Sequence, residues 1–189
     1  MTAESPVPTE HPRIFTPEQQ LVQVANIMVG ITNPRQPRKI SGVENGKRLD
    51  TGFNCSGFVR YALDAVYDLP AAEYTNKDGS LAHRKPRYMR ELLDNPFVPV
   101  PWDKRKPGHL IFFVEEPQGD LFKADHCGVL LDLDVDNLGT FIHSPGIVPS
   151  CEIEIQSVYQ QVGSFSRMPI TDPTKHIMIR SVPAEFLKP

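Results

Sequence analysis

The stretch Phe53-Asn54-Cys55-Ser56-Gly57-Phe58-Val59-Arg60-Tyr61-Ala62-Leu63 decides how this chain is read. It is a tight turn that delivers a cysteine to the first turn of an amphipathic helix. Apolar residues recur at Phe58, Val59, Ala62, Leu63 and Val66, the 3.6-residue spacing of one buried face. Cys55 lies at the N-terminal edge of that face. A thiol there feels unpaired backbone N–H groups and the positive end of the helix dipole, both of which favour the nucleophilic thiolate. Taken alone, a free cysteine is more often a small, inert core residue.

Working outward, residues 1–14 read as a flexible lead, and residues 15–189 as a single domain. A helix is predicted from Thr16 as N-cap, with Pro17 at N1 and Glu18 in the first turn. Its stripe is Leu21, Val24, Ala25 and Met28, and it ends near Gly30. Residues 32–52 form a long polar connection, and the Cys55 helix stops before Leu69-Pro70. A short helix around Arg87–Leu93 is expected within 71–107, the rest of which reads as an irregular excursion that walls a cleft. Strands follow at Leu110–Val114, His126–Leu133, Thr140–Ser144, Glu152–Ser157 and His176–Val182, with a hairpin turn at Asp134–Leu138. Helices first and antiparallel strands afterwards is the α+β pattern.

The chain has 189 residues, a net charge of −3, 40% hydrophobic and 23% charged residues, values of a soluble globular protein. The charge and the lack of any basic block or aromatic-plus-arginine stripe argue against nucleic acid as a partner. Lys104-Arg105-Lys106 is short, precedes Pro107 and reads as a solvated loop. No apolar stretch approaches the length of a membrane span. Nineteen prolines gather in loops and tails. Three cysteines make no disulfide framework, which suits a reducing compartment or a periplasm entered without a bridge. Met1 to Arg13 lacks the basic start and apolar middle of a secretory signal, so the expectation is a protein that stays inside, has lost its signal, or leaves by a route needing none.

A nucleophilic cysteine needs a base within hydrogen-bond reach, and the base needs an orienting partner. Asp125-His126-Cys127-Gly128-Val129 offers a histidine at the start of a strand, and Phe141-Ile142-His143-Ser144 a second on its neighbour. If His143 pairs across from Gly128 or Leu130, period-two geometry puts it on the sheet face of His126. A helix packed on that face would bring Cys55 to His126. Gly128 would leave open space beside the base. Each histidine alone has a plain alternative as a buried or cross-strand polar residue. Cys55, His126, Cys127 and His143 are all metal-ligand types. Adjacent strand residues point to opposite faces, however, so His126 and Cys127 cannot easily share an ion. Cys127 is expected in the core, Cys151 in a loop, and His11, His83, His109 and His176 outside the chemistry.

The blocks N-C-S-G-F-V-R-Y-A-L, K-P-G-H-L-I-F-F, H-C-G-V-L-L-D and F-I-H-S-P-G, in that order over roughly residues 53 to 147, resemble the NlpC-type papain-like cysteine peptidases of bacterial cell walls. The resemblance implies a papain-like fold with the nucleophile helix packed on a small antiparallel sheet. It makes Cys55 the nucleophile, His126 the base and His143 the third member. The reaction it implies is hydrolysis of peptidoglycan stem peptides through an acyl-enzyme, most often at the γ-D-glutamyl–diamino acid bond, without metal or organic cofactor. Backbone N–H groups near Cys55 would hold the oxyanion. Asn54 and Ser56 are the substrate-binding candidates. Asn54 stands where the family has an aspartate that grips the stem-peptide amine, and Asp50 is a stand-in for that charge. His109 stands where a carboxylate is common, and the His126–His143 gap is longer than usual. A single-domain cell-wall amidase without a signal looks like an antibacterial effector of a type VI secretion system, acting in the periplasm and cell wall, with an inhibitor (immunity) protein in the producer. The alternatives are a papain-like thiol hydrolase on another amide or acyl substrate and a non-catalytic peptidoglycan-binding module.

Overall fold

The computed structural model describes residues 15–30, 54–75, 78–86, 89–94, 97–114, 124–133, 138–145, 153–158, 160–161 and 176–189. The expected lead at 1–14, the connection at 32–52, Asp50, His11 and Cys151 lie outside them, as does most of the Asp134–Leu138 turn.

Helix α1 spans Pro17–Ile27 and opens on a full capping box. Thr16 Oγ1 accepts from the Gln19 amide at 3.3 Å, and the Thr16 amide donates to Gln19 Oε1 at 2.9 Å. Its stripe behaves as the spacing predicts: Leu21, Ala25 and Met28 are buried, and Val24 packs beside them. Helix α2 spans Cys55–Val66, and Phe58, Val59, Ala62, Leu63 and Val66 are all buried. Burying a side chain of the Val, Leu or Phe kind contributes about 1.5–3 kcal/mol, so this one face is a main anchor of the fold.

Strands β1 (Ala72–Thr75) and β2 (Leu81–Arg84) form a two-stranded antiparallel sheet. Helix α3 (Met89–Asp94) and strand β3 (Val98–Val100) follow. α3 lies where the short helix around Arg87–Leu93 is expected, while the described residues of the rest of 71–107 form β1, β2, β3 and a 3-10 turn where an irregular excursion is expected. Arg84 holds the hairpin to α3 with two short bonds to the Glu91 carboxylate, 2.7 and 2.8 Å, and lies 4.9 Å from the centre of the Tyr74 ring. Lys85 reaches Asp68 at 2.7 Å, just past the end of α2. Trp102–Lys104 is a 3-10 turn. Arg105, expected in a solvated loop, lies 3.7 Å over the Trp102 ring and bonds to the Trp102 carbonyl.

The larger sheet adds β4 (Leu110–Val114), β5 (Ala124–Asp132), β6 (Thr140–His143), β7 (Glu154–Ser157) and β8 (Ile177–Ser181). Its order is β3-β8-β4-β5-β6-β7, and every pairing is antiparallel. The chain is thus mixed α+β, with few helices, a small antiparallel sheet and a larger one. It is not a simple meander, because β8 returns to lie between β3 and β4. β4 is buried along its whole length, as its unbroken apolar run demands of a central strand. One face of the sheet, with Leu110, Phe112, Cys127, Val129 and Ile142, joins the core of α1, α2 and α3. The other face carries Ile111, Phe113, Leu130, Phe141, Ile177 and Ile179.

The turn into β4 docks on α1. Gly108 has φ +88°, its amide donates to the Leu130 carbonyl at 2.8 Å, and a Cβ built on it would run into the backbone of Glu18. Gly108→Ala combines left-handed strain with a backbone collision, so it should lower unfolding stability by at least about 2 kcal/mol. Urea denaturation measures the loss, and an unchanged midpoint would refute the close approach.

Candidate active site

The position of Cys55 is set by the cap of α2. Asn54 is extended, at ψ 176°, and its Oδ1 accepts from the Gly57 amide at 2.7 Å. The Ser56 hydroxyl donates to the same oxygen at 3.2 Å. The Phe58 amide donates to the Asn54 carbonyl. Two of the four leading helix amides are engaged in this way, which leaves those of Cys55 and Ser56 outside the helix's own bonding. Asn54 thus serves as a neutral N-cap, a role in which Asn and Asp are equivalent. Ser56 is buried beneath it.

The two histidines meet. β6 runs against β5 with Val129 opposite Ile142 and Leu130 opposite Phe141, so the next step places His143 beside Gly128. His126 and His143 then share a face, as period two requires, and His126 Nε2 lies 2.7 Å from His143 Nδ1. The rings cross edge to face at 87°. Phe113 and Phe141 flank them, with ring centres 6.0 Å and 6.1 Å from His126, and Phe141 is 4.7 Å from His143. The pair is nearly dry, with His126 8% and His143 2% exposed.

Helix α2 does not pack on the histidine face, contrary to the simplest expectation. It covers the Cys127 face, because the buried side chains of α2 share one core with Cys127, Val129 and Ile142. Cys55 still comes near enough to the His126 ring for that ring to favour its thiolate, because it sits at the helix tip, against the start of β5. A register shift lies there: Phe113 pairs with His126 but Val114 with Ala124, which leaves Asp125 as an extra residue just before the histidine. Such a bulge bends the strand and re-aims the side chain that follows.

Cys127 is the functional contact that sequence reasoning missed. It is buried in the core as expected, yet its thiol lies close enough to Cys55 to shift that group's titration. The Cys55 thiol is pushed down from 9.0 to about 5. The Cys127 side-chain hydrogen bond is the largest cause. Burial opposes it. The hydrogen bond and charge of His126 and the backbone N–H of Cys127 lower it further. The same contact works in reverse on Cys127, whose thiol is pushed up first by burial and then by Cys55. Cys127 is therefore a donor and Cys55 the thiolate. Strand alternation held the signal, since it puts Cys127 on the side facing the nucleophile helix.

His143 is pushed down from 6.5 to about 3 by burial and then by His126, so it is a neutral ring at ordinary pH. Its Nε2 faces Glu154 Oε1 at 3.3 Å. That approach is close in distance but poor in angle, so Nε2 has no formed hydrogen bond. Gly128 does not open space beside the base. A Cβ there would lie 2.5 Å from the Ile142 carbonyl oxygen and 2.6 Å from the Phe141 ring, so glycine lets β5 and β6 close on the histidine pair. His109 is buried, and its Nδ1 accepts from the Lys106 amide at 3.1 Å. It closes the turn before β4, and burial pushes its pKa down. His83 and His176 lie in β2 and at the start of β8. Among the described residues, no group of three or more His, Cys, Asp or Glu is placed to hold a metal ion, and no helix is long and apolar enough to cross a membrane.

The chain matches no family model and no curated protein. The site therefore rests on its own geometry: a partly exposed cysteine on a helix N-terminus with its pKa pushed down, an imidazole near it, and a second imidazole 2.7 Å from the first.

Two outcomes follow. Cys55 should react with iodoacetamide at a rate that is nearly flat from about pH 6 upward and declines below about pH 5, where the thiolate is lost. Cys127 should stay unreactive until the protein unfolds. Cys127→Ala should move the Cys55 profile toward higher pH, and an ordinary profile rising about tenfold per unit up to pH 8 in the wild type would contradict the site. Separately, Gly128→Ala should destabilise by about 1–3 kcal/mol through strand separation. Alkylation of Cys55 near pH 6 should slow in parallel if the histidine pair is pulled apart.

Proposed function

We propose that this protein is a cysteine hydrolase of papain-like, NlpC-type fold that cleaves amide bonds in peptidoglycan stem peptides, with the γ-D-glutamyl–diamino acid bond as its target. The observation that carries the proposal is the meeting of Cys55, His126 and His143, from three separate elements, around a stabilised thiolate. The four sequence blocks of the resemblance surround these residues and supply the substrate class.

The chemistry follows from the atoms. His126 Nε2 is taken up by His143, which leaves Nδ1 as the nitrogen for the Cys55 proton. The Cys55 sulfur attacks the scissile carbonyl carbon, and the C=O pair moves onto oxygen. The Cys55 and Ser56 amides, left over by the Asn54 cap, are the donors available to that oxyanion. As the intermediate collapses, His126 gives its proton to the leaving amine and a thioester remains. His126 then takes a proton from water, whose oxygen attacks the thioester and releases the acid and the thiolate. Cys127 steadies the resting sulfur and is not itself the nucleophile. In the proposed setting the enzyme works on the cell wall in the periplasm, and an inhibitor protein covering the cleft protects the producing cell.

Purified sacculi digested by the protein and resolved by mass spectrometry provide the test. The wild type should release stem-peptide fragments with a new γ-D-glutamyl carboxylate and a free amine on the diamino acid. Cys55→Ala should lose at least about a thousandfold in rate. Wild-type protein that releases nothing but binds sacculi as well as Cys55→Ala would replace the hydrolase with a binding module. Fragments cut at another bond would keep the chemistry and correct the substrate.

A further inference from the structure

Beyond the three residues already placed, Glu154 lies next to His143. It lies on β7, directly opposite His143 on β6. Its carboxylate oxygen is 3.3 Å from His143 Nε2, the ring nitrogen that faces away from His126. That nitrogen is buried and has no hydrogen-bond partner in the described structure. Glu154 itself is 52% exposed on the edge strand, where water can solvate its charge.

A neutral imidazole carries one N–H, and the 2.7 Å contact between the rings needs one donor and one acceptor. Two arrangements satisfy it. In the first, His143 is protonated at Nε2, and its Nδ1 accepts from His126 Nε2–H. The lone pair of His126 Nδ1 is then free to take the thiol proton. In the second, His143 is protonated at Nδ1 and donates to His126 Nε2. His126 then holds its proton at Nδ1 and cannot act as a base, while a lone pair on His143 Nε2 faces a carboxylate. The second arrangement sets lone pair against anion, and the first sets N–H against anion.

We propose that Glu154 is a positioning residue, whose carboxylate selects the Nε2–H form of His143, so that His143 Nδ1 accepts from His126 Nε2–H and His126 Nδ1 is the nitrogen that takes the Cys55 proton. The proposal rests on the hydrolase reading for its catalytic consequence, but the tautomer itself does not depend on any substrate. The poor angle of the resting contact is of the kind that tightens when a ligand closes the site. Support of this sort, one residue removed from the base, is commonly worth about 10- to 100-fold at metal-bound histidines, and a similar factor is expected here.

Ring-nitrogen NMR of 15N-histidine-labelled protein at pH 7 reads the tautomers directly. In the wild type, His143 should carry its proton on Nε2, which leaves its Nδ1 to accept from His126 Nε2–H. Glu154→Gln retains a carbonyl acceptor and should keep that pattern, with kcat within about threefold of wild type. Glu154→Lys presents a donor instead. It should shift His143 toward the Nδ1–H form and lower kcat about 10- to 100-fold with KM unchanged. Both variants should keep the wild-type thermal midpoint, since Glu154 is an exposed edge residue. A wild-type His143 protonated on Nδ1, or a tautomer that Glu154→Lys leaves unmoved, overturns the proposal. Should wild-type protein fail to cut sacculi while the ring pattern shifts as described, the substrate reading falls and the role of Glu154 stands.

Discussion

The contact on which the site depends is the one between the first turn of α2 and the start of β5. A helix tip supplies a cysteine whose own amide, with that of Ser56, lies outside the helix's bonding. A strand supplies, in two consecutive residues, a thiol donor on one face and an imidazole on the other. Neither element alone accounts for the size of the Cys55 shift. The dipole and amides of a helix end are worth only about 0.3–1 kcal/mol each on the surface. The larger depression of the Cys55 pKa comes from Cys127 and His126 acting together against burial. The rest of the architecture serves that junction. The apolar face of α2 clamps the helix across β5, and the bulge at Asp125 turns the histidine toward the sulfur.

Much of this was legible in the sequence because it depends on local periodicity. Phe58 to Val66 marked α2, Thr16-Pro17 marked the start of α1, and Leu110–Val114 marked the central strand. Cys55, His126 and His143 were legible as residue types placed at element ends, and strand alternation gave the shared face of the histidines. What was not legible depends on pairing between distant segments. The helix lies on the Cys127 face because its side chains fit Val129 and Ile142, and no local pattern decides between two apolar faces. The β1–β2 hairpin is held by Arg84 reaching Glu91, a contact without periodicity. Glu154 matters only through the β6–β7 register, and β8 finds its place beside β4 through a long return of the chain. Two residues singled out in the sequence have local roles: Asn54 caps the helix without needing a charge, and His109 accepts a backbone bond.

In the proposed hydrolase, the apolar surroundings explain why the second relay member is an imidazole. Phe113, Phe141 and the closed β5–β6 pairing at Gly128 leave almost no water around His143. An ionised carboxylate at that position would carry a desolvation cost of several kcal/mol unless fully hydrogen-bonded. A neutral ring has no such cost, and burial keeps it neutral by pushing its pKa down to about 3. Neutrality has its own drawback, since a neutral imidazole is free to choose either tautomer and only one of them leaves His126 able to act as a base. Glu154 resolves this by holding the negative charge one strand further out, at the solvated edge, where it needs no compensation from the core. The ring then carries the influence of the charge inward through one N–H and one lone pair. A site arranged in this way separates two requirements that conflict in a buried carboxylate: a dry setting for the base, and a fixed orientation of its proton.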